Sequence, residues 1–191
     1  MNDESALLEA ARRFDNKALA VIFDTYAPAI YRYVLRLCHD PVESDNIVGD
    51  VFARLIEKFA VGQGPRTNLR SYLFSIAYHL VVDGARHNHR LTSLEVVMDV
   101  PSQLKDYSVD TQVDERNLLD VLRFMMNNRL SEIQRHVLIL RFMEDFSMQE
   151  TAAIVYKKVN HVKLIQSRGI AKLRKLLEAR FWPDCKKQSE T

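Results

Sequence analysis

A chain of 191 residues, 47% of them hydrophobic, is long enough for one large or two small domains and too apolar to stay disordered. Five glycines and five prolines give few turn signals for a many-stranded β architecture, and no apolar run approaches the roughly 18 residues of a membrane span. The net charge of +2 hides an asymmetry: residues 1–115 sum to −5 and residues 116–191 to +7, which turns the C-terminal half toward nucleic acid and the N-terminal half toward a basic protein surface.

Residues 5–37 read as helix. Phe14, Ala18, Val21 and Ile22 recur at helical spacing, and Tyr26, Ile30, Tyr33, Val34 and Leu37 continue the stripe. Pro28 suits the first turn of a second helix within this stretch. His39-Asp40-Pro41 breaks the pattern, and Ser44–Phe59 resumes it with Ile47, Val48, Val51, Phe52, Leu55 and Ile56 facing inward. Gly62-Gln63-Gly64-Pro65 is a loop signal. A helix follows from about Asn68 to Asn88, carrying Tyr72, Phe74 and Tyr78 and ending in Arg86, His87, His89 and Arg90. Phe74 reads as a core aromatic. The two histidines have no third ligand type nearby, so a basic helix end facing phosphate is the better reading.

Periodicity is lost after residue 90, and the polar stretch around Pro101 reads as a linker. A second helical block runs from Val113 to Phe181: Leu118, Leu119, Leu122 and Phe124 in its first helix, then Val137, Leu138, Leu140 and Phe142 behind the cap-like Ser131-Glu132. The last two helices are the most informative. Ser147 and Glu150 have capping-box spacing, in which the hydroxyl accepts an orphan N–H and the carboxylate reaches back. Tyr156-Lys157-Lys158-Val159 then breaks the short helix, and Asn160 suits the N-cap of the next. Val162, Ile165, Ile170 and Leu173 form an apolar stripe there, while Lys163, Gln166, Ser167, Arg168 and Lys172 line other faces. This is a helix-turn-helix pattern, whose second helix enters the DNA major groove. An ordinary helical hairpin would show much of the same pattern.

Cys38 and Cys185 are far apart without metal-ligand spacing, and no basic start precedes an apolar h-region. The expectation is a cytoplasmic protein with reduced thiols and no cofactor or metal. No Walker or Rossmann glycine pattern, Cys/His cluster or G-x-S-x-G is present, so no enzyme is expected.

Four segments in this order and spacing resemble the bacterial sigma-70 family of extracytoplasmic-function (ECF) type: YAPAIYRYVLRL from Tyr26, SDNIVGDVFARLIEKF from Ser44, LRSYLFSIAYHLVVDGARHNHR from Leu69, and the stretch from Leu130 to Leu173. The resemblance spans nearly the whole chain. It implies an all-α protein with a sigma-2-like domain over residues 1–90, a flexible linker over 91–112, a sigma-4-like domain over 113–182 and a polar tail over 183–191. Its function would be that of a promoter-specificity subunit. Its partners would be core RNA polymerase, through the β′ clamp helices and the β flap, promoter DNA, and an anti-sigma factor.

The resemblance also implies residue roles. Asp45, Asn46, Val48, Asp50, Val51 and Arg54 would bind polymerase, the valines on the inner side of their helix. Arg66, Asn68, Arg70, Tyr72, Ser75, His79, Asp83 and Arg86 would hold the −10 element as single strand, which needs a basic groove and a pocket for an unstacked base. Arg141, Lys157, Lys158, Asn160, His161, Lys163, Ser167, Arg168 and Lys172 would read the −35 duplex, phosphate contacts setting register and base-edge contacts setting sequence. The chain departs from the family pattern at several of these places. Gly49 stands where Gln is usual, Tyr72 where Trp is common, His79 where Asn is common, Tyr156 where Gly is usual, Lys157 where an apolar residue is usual and Gly169 where Ala is usual. Tyr156 is the sharpest departure, because the end of the first helix wants a positive φ. Two other functions compete: a stand-alone helix-turn-helix regulator, and a sigma-like module that only binds an anti-sigma factor.

Overall fold

The computed structural model describes residues 3–92 and 115–181, and every regular element among them is a helix. In order these are α1 Asp3–Arg12, α2 Asn16–Cys38, α3 Pro41–Ala60, α4 Leu69–Thr92, α5 Glu115–Arg129, α6 Glu132–Phe142, α7 Met148–Ile154 and α8 Val159–Phe181. None is long and apolar enough to cross a membrane. The region expected as a linker and the polar tail lie largely outside the described residues, as does Cys185.

Local chemistry sets the first boundaries. The expected 5–37 helix breaks where Phe14 takes φ +60° and Asp15 caps α2, accepting the Ala18 N–H at 2.9 Å. Pro28 does not start a helix; it sits inside α2. Tertiary packing carries the helix through: Ala27, Ile30, Tyr33 and Val34 bury the same face on both sides of the proline. His39 in the left-handed region ends α2. Asp40 then caps α3, accepting from Val42 and Glu43 at 2.8 and 3.1 Å, so this helix begins at Pro41 rather than Ser44. Of the apolar residues expected inside, Ile47, Val48, Val51, Phe52 and Leu55 are buried, but Ile56 is exposed, one position beyond the buried stripe.

α2, α3 and α4 form one core around Ile30, Tyr33, Val51, Leu55, Leu73 and Phe74. α1 braces its edge. The Arg12 guanidinium donates to the Gly64 and Pro65 carbonyls at 2.8 and 2.9 Å and lies over the Phe59 ring. Glu4 accepts the Leu69 N–H at 3.1 Å, capping α4 from a distance in sequence. The loop leading into α4 is therefore held at both ends by α1.

In the second half, Val137, Leu138, Leu140, Ile154 and Val162 pack α6, α7 and α8 together. α5 adds Val121, Met125, Met126 and Leu130, while Leu118 and Phe124 of the same helix are exposed. The capping box at α7 forms as expected: Ser147 Oγ accepts the Glu150 N–H at 3.1 Å and the Glu150 carboxylate accepts the Ser147 N–H at 2.8 Å. Those bonds hold the Glu150 carboxyl below its ordinary pKa. At the Gly169 position an added Cβ would lie 3.2 Å from Leu138 Cδ1, so the glycine admits a close approach of α6 and α8.

The two halves pack against each other through α2 and α4 on one side and α6, α7 and their connection on the other. Tyr33 and His136 are fully buried and bonded, hydroxyl to Nδ1, at 2.7 Å. Burial lowers the His136 pKa and raises that of Tyr33, so both shifts favour the neutral forms of the two groups that share this bond; His136 Nε2 lies 4.0 Å from Glu132. The Tyr78 ring meets His136 edge-on, with centroids 4.8 Å apart, and Phe74 meets Phe146 in the same way at 4.8 Å. Glu144 is buried and accepts from Arg36 at 2.8 Å. Burial pushes its carboxyl up, against the lowering pull of Arg36, Arg32 and Arg70.

Candidate nucleic-acid interfaces

The helix-turn-helix comprises α7, a tight turn and α8. α7 closes as a Schellman cap: Tyr156 N–H reaches the Ala153 carbonyl at 3.3 Å and Lys157 N–H the Ala152 carbonyl at 3.0 Å. Tyr156 takes φ +52° to do so, a non-glycine residue in the left-handed region. The expected strain is thus real, and the turn keeps its usual shape. Asn160 is not the N-cap. α8 begins at Val159, which puts Asn160 in its first turn.

On α8 the stripe behaves as expected: Val162 is buried, with Ile165, Ile170 and Leu173 half-buried against the core. Lys157, Lys158, Asn160, His161, Lys163, Ser167, Arg168 and Lys172 are all exposed. A groove of about 370 Å³ runs beside Lys163 and Ser167, and Met148, Gln166, Ala171 and Arg174 complete its walls. Arg174 was missed in the sequence reading; it lies seven positions, close to two turns, beyond Ser167, a spacing that could have found it. Arg141 is half-buried and has partners inside the fold. Its guanidinium donates to the Phe146 carbonyl and, at 3.3 Å, to Gln166, so it ties the α6–α7 connection to α8 and is spent inside the fold.

A second concave surface lies between α3 and α4. Its walls are Arg54, Glu57 and Lys58 from α3 and Tyr72, Ser75, Ile76, His79 and Asp83 from α4, enclosing about 370 Å³. Four residues expected at a single-strand site therefore converge: Tyr72, Ser75, His79 and Asp83. Ser75 is buried and its hydroxyl donates to the Tyr72 carbonyl, so it shapes the wall. Others do not join them. Arg66 lies in a separate depression against Ser5, Glu9 and Arg12. Asn68 takes φ +55° just before α4 and is exposed. Arg70 turns to the other half, donating to the Glu144 carbonyl with its guanidinium 4.1 Å from the Phe146 ring centroid. The side chains of Arg86, His87 and His89 lie outside the described residues. Among those described, no group of three His, Cys, Asp or Glu side chains could hold a metal ion. Cys38 is half-buried, and burial pushes its thiol up to about 11.

One wall of this cleft comes from the other half of the chain. The Tyr156 ring lies 4.5 Å, centroid to centroid, from the His79 imidazole, inclined at 47°.

The third surface is the outer face of α3. Asp45, Asn46 and Asp50 are exposed there, with Arg54 one turn further on. Val48 and Val51 are 7% and 0% exposed, part of the α2–α3–α4 core on the inner side of the helix, so they support this face rather than form it. Gly49 lies on the exposed side, with nothing within 4 Å of an added Cβ.

Two compact helical groups, the first presenting a cleft and a polar helix face and the second a helix-turn-helix, define an all-α protein of two-part architecture among the described residues. The family model for Sigma-70 region 2 matches residues 22–91 and that for Sigma-70 region 4 matches residues 128–175. Together they span more than half of the chain, which belongs to the sigma-70 family and is of ECF type. It is similar to the ECF RNA polymerase sigma factor SigX of Bacillus subtilis, 27% identical over 83% of this chain and 82% of that one. It is also similar to the ECF RNA polymerase sigma factor BldN of Streptomyces coelicolor, 26% identical over 90% of this chain, which spans 64% of that longer relative. Among solved structures the fold matches CnrH in complex with the cytosolic domain of CnrY (TM-score 0.69, 19% identity, 93% of this chain and 99% of that one). It also matches the sigma factor RpoE in complex with the anti-sigma factor NepR from Bartonella quintana (TM-score 0.64, 21% identity, 85% and 98%).

Proposed function

We propose that this ECF sigma factor docks on core RNA polymerase through the outer face of α3, reads the −35 element as duplex with α8, and captures the −10 element as single strand in the α3–α4 cleft. The carrying observation is the convergence of Tyr72, Ser75, His79 and Asp83 in one concave surface, with Arg54 and Lys58 on its opposite wall. An aromatic beside a cleft with cations is what single-strand capture requires, since base stacking on a side chain contributes about 1–3 kcal/mol per base. Lys163, Ser167, Arg168 and Arg174 supply the complementary duplex reader, an exposed helix face bordering a groove. Asp45, Asn46 and Asp50 would orient the β′ clamp helices, and the helix-turn-helix half would meet the β flap. The chain itself performs no reaction. Two weak DNA readers linked through polymerase act at high effective concentration on one promoter. An anti-sigma protein is a further partner, as named for the RpoE complex.

Run-off transcription with core polymerase on a promoter library tests the reading. Core-dependent initiation at templates sharing a −35 and a −10 sequence is expected. Initiation on no template would sink it, and tight operator binding without core enzyme would favour a stand-alone regulator.

A further inference from the structure

Two of the residues by which this chain departs from the family pattern are in contact with each other. Tyr156 stands where the helix-turn-helix usually has Gly, and His79 where the cleft usually has Asn. Their rings are 4.5 Å apart, although 77 positions separate them in sequence. A tyrosine at φ +52° is disfavoured where it stands. The turn needs the left-handed conformation, and its N–H bonds to Ala152 and Ala153 form with any side chain. The ring is thus unnecessary to the turn and costs the backbone something. It is not part of the core either, being 63% exposed. Its nearest business is in the cleft, where it joins Tyr72, Ser75, Ile76, His79 and Asp83 in the lining.

We infer that Tyr156 is an intramolecular plug: its ring occupies the place of an unstacked base against His79, so the helix-turn-helix half closes the single-strand site of the same chain until DNA or polymerase displaces it. The chemistry matches. A phenol presents a planar π-face of the kind a base presents, and a polar edge that can accept or donate a hydrogen bond. The same closure engages a second cation expected on the single strand. Arg70 is drawn away from the cleft by the Glu144 carbonyl and the Phe146 ring. Glu144 also holds Arg36, and Tyr33 holds His136, so the plug is seated by a buried, polar seam rather than by its own ring contact alone. Beside the Phe74–Phe146 contact the seam thus carries polar partners that water and phosphate can replace when it opens.

This inference rests on the cleft being the single-strand site, and the test separates the two. The full chain is titrated into fluorescein-labelled single-stranded deoxynucleotide 12-mers of randomised sequence, and anisotropy is read. Tyr156→Gly removes the ring and supplies the residue the backbone prefers, so folding is retained. It is expected to bind roughly three- to tenfold tighter than the wild type, the scale of one aromatic contact. Tyr156→Phe, which keeps the ring, is expected to stay near the wild-type value. Adding His79→Ala to Tyr156→Gly is expected to lose most of the gain. If Tyr156→Gly binds like the wild type while the added His79→Ala weakens it, the plug is overturned and the single-strand site stands. If His79→Ala changes nothing in the Tyr156→Gly background, whether both bind or neither does, the cleft is not the site and both readings fall.

Discussion

The two surfaces proposed to read DNA differ in which parts of the chain build them. On α8 the side chains proposed to read duplex, Lys163, Ser167, Arg168 and Lys172, stand exposed, the first two beside a shallow groove walled by the same half of the chain. In the cleft between α3 and α4, a side chain of the other half forms part of the wall, against His79. The difference follows from the physics of the two ligands. A duplex groove receives a helix, so its reader needs only to protrude. An unstacked base must be received, so its reader needs a hollow with an aromatic or imidazole wall, and such a hollow accepts any planar group within reach.

The comparison depends on the two halves sharing one seam, and the largest effect is expected there. Phe146→Ala empties a fully buried site between Phe74 and Arg70, and should cost about 3–5 kcal/mol in urea unfolding. A loss below about 1 kcal/mol would mean that the halves do not close on each other. Next in size, Arg168→Ala should weaken −35 duplex binding by about 1–3 kcal/mol if the side chain reads a base edge, with core docking unchanged by pull-down. A uniform loss across all sequences, with a smaller salt slope, would make it a phosphate contact instead.

The seam should also respond to acid. The His136 pKa is lowered by burial among Tyr33, Tyr78, Glu132 and Arg135. A depressed pKa means that the contribution is fully present above the ordinary 6.5 and is lost as pH falls through the lowered value. Thermal stability and seam amide protection should therefore fall between pH 7.5 and 5.5. Glu144, its carboxyl raised by burial, acts with the opposite sign, so comparison with His136→Gln isolates the imidazole. A pH profile identical in the two proteins would exclude the imidazole as its source.

Gly49→Ala should raise stability by about 1 kcal/mol, since the position is mid-helix and open. Unchanged core affinity in that variant would place Gly49 outside the polymerase contact. The smallest effect is expected for Asp50→Ala, a few tenths of a kcal/mol up to about 1 in core binding, as for an exposed charge that steers a partner. Its effect should shrink at high salt.

Much of the fold was legible because its signals are local. The Ser147–Glu150 capping box, the break at His39–Pro41 and the apolar stripes of α3 and α8 each lie within a few turns of chain, where periodicity and capping operate. The positive φ at Tyr156 is expected only from the resemblance, in which that position usually holds Gly. What local pattern does not show is set by long-range packing. Arg70 and Arg141 look like DNA contacts in sequence, but each found an acceptor inside the fold, one of them 74 positions away. Val48 and Val51 sit among polar neighbours that do face outward, and only the packing of α3 on α2 and α4 decides that the valines do not. The Tyr33–His136 pair spans 103 positions, and no local pattern encodes it.

The close approach of α6 and α8 at Gly169 works as a spacer setting. Leu138 Cδ1 stands 3.2 Å from where a methyl would be, so α8 rests as near to the body as a backbone without a side chain allows. A helix of the same reading residues seated on alanine would stand a few tenths of an ångström further out. Hydrogen bonds to base edges lose strength over distances of that order. If α8 reads a duplex as proposed, a residue on its inner face thus helps to set how far its outer face stands from the body.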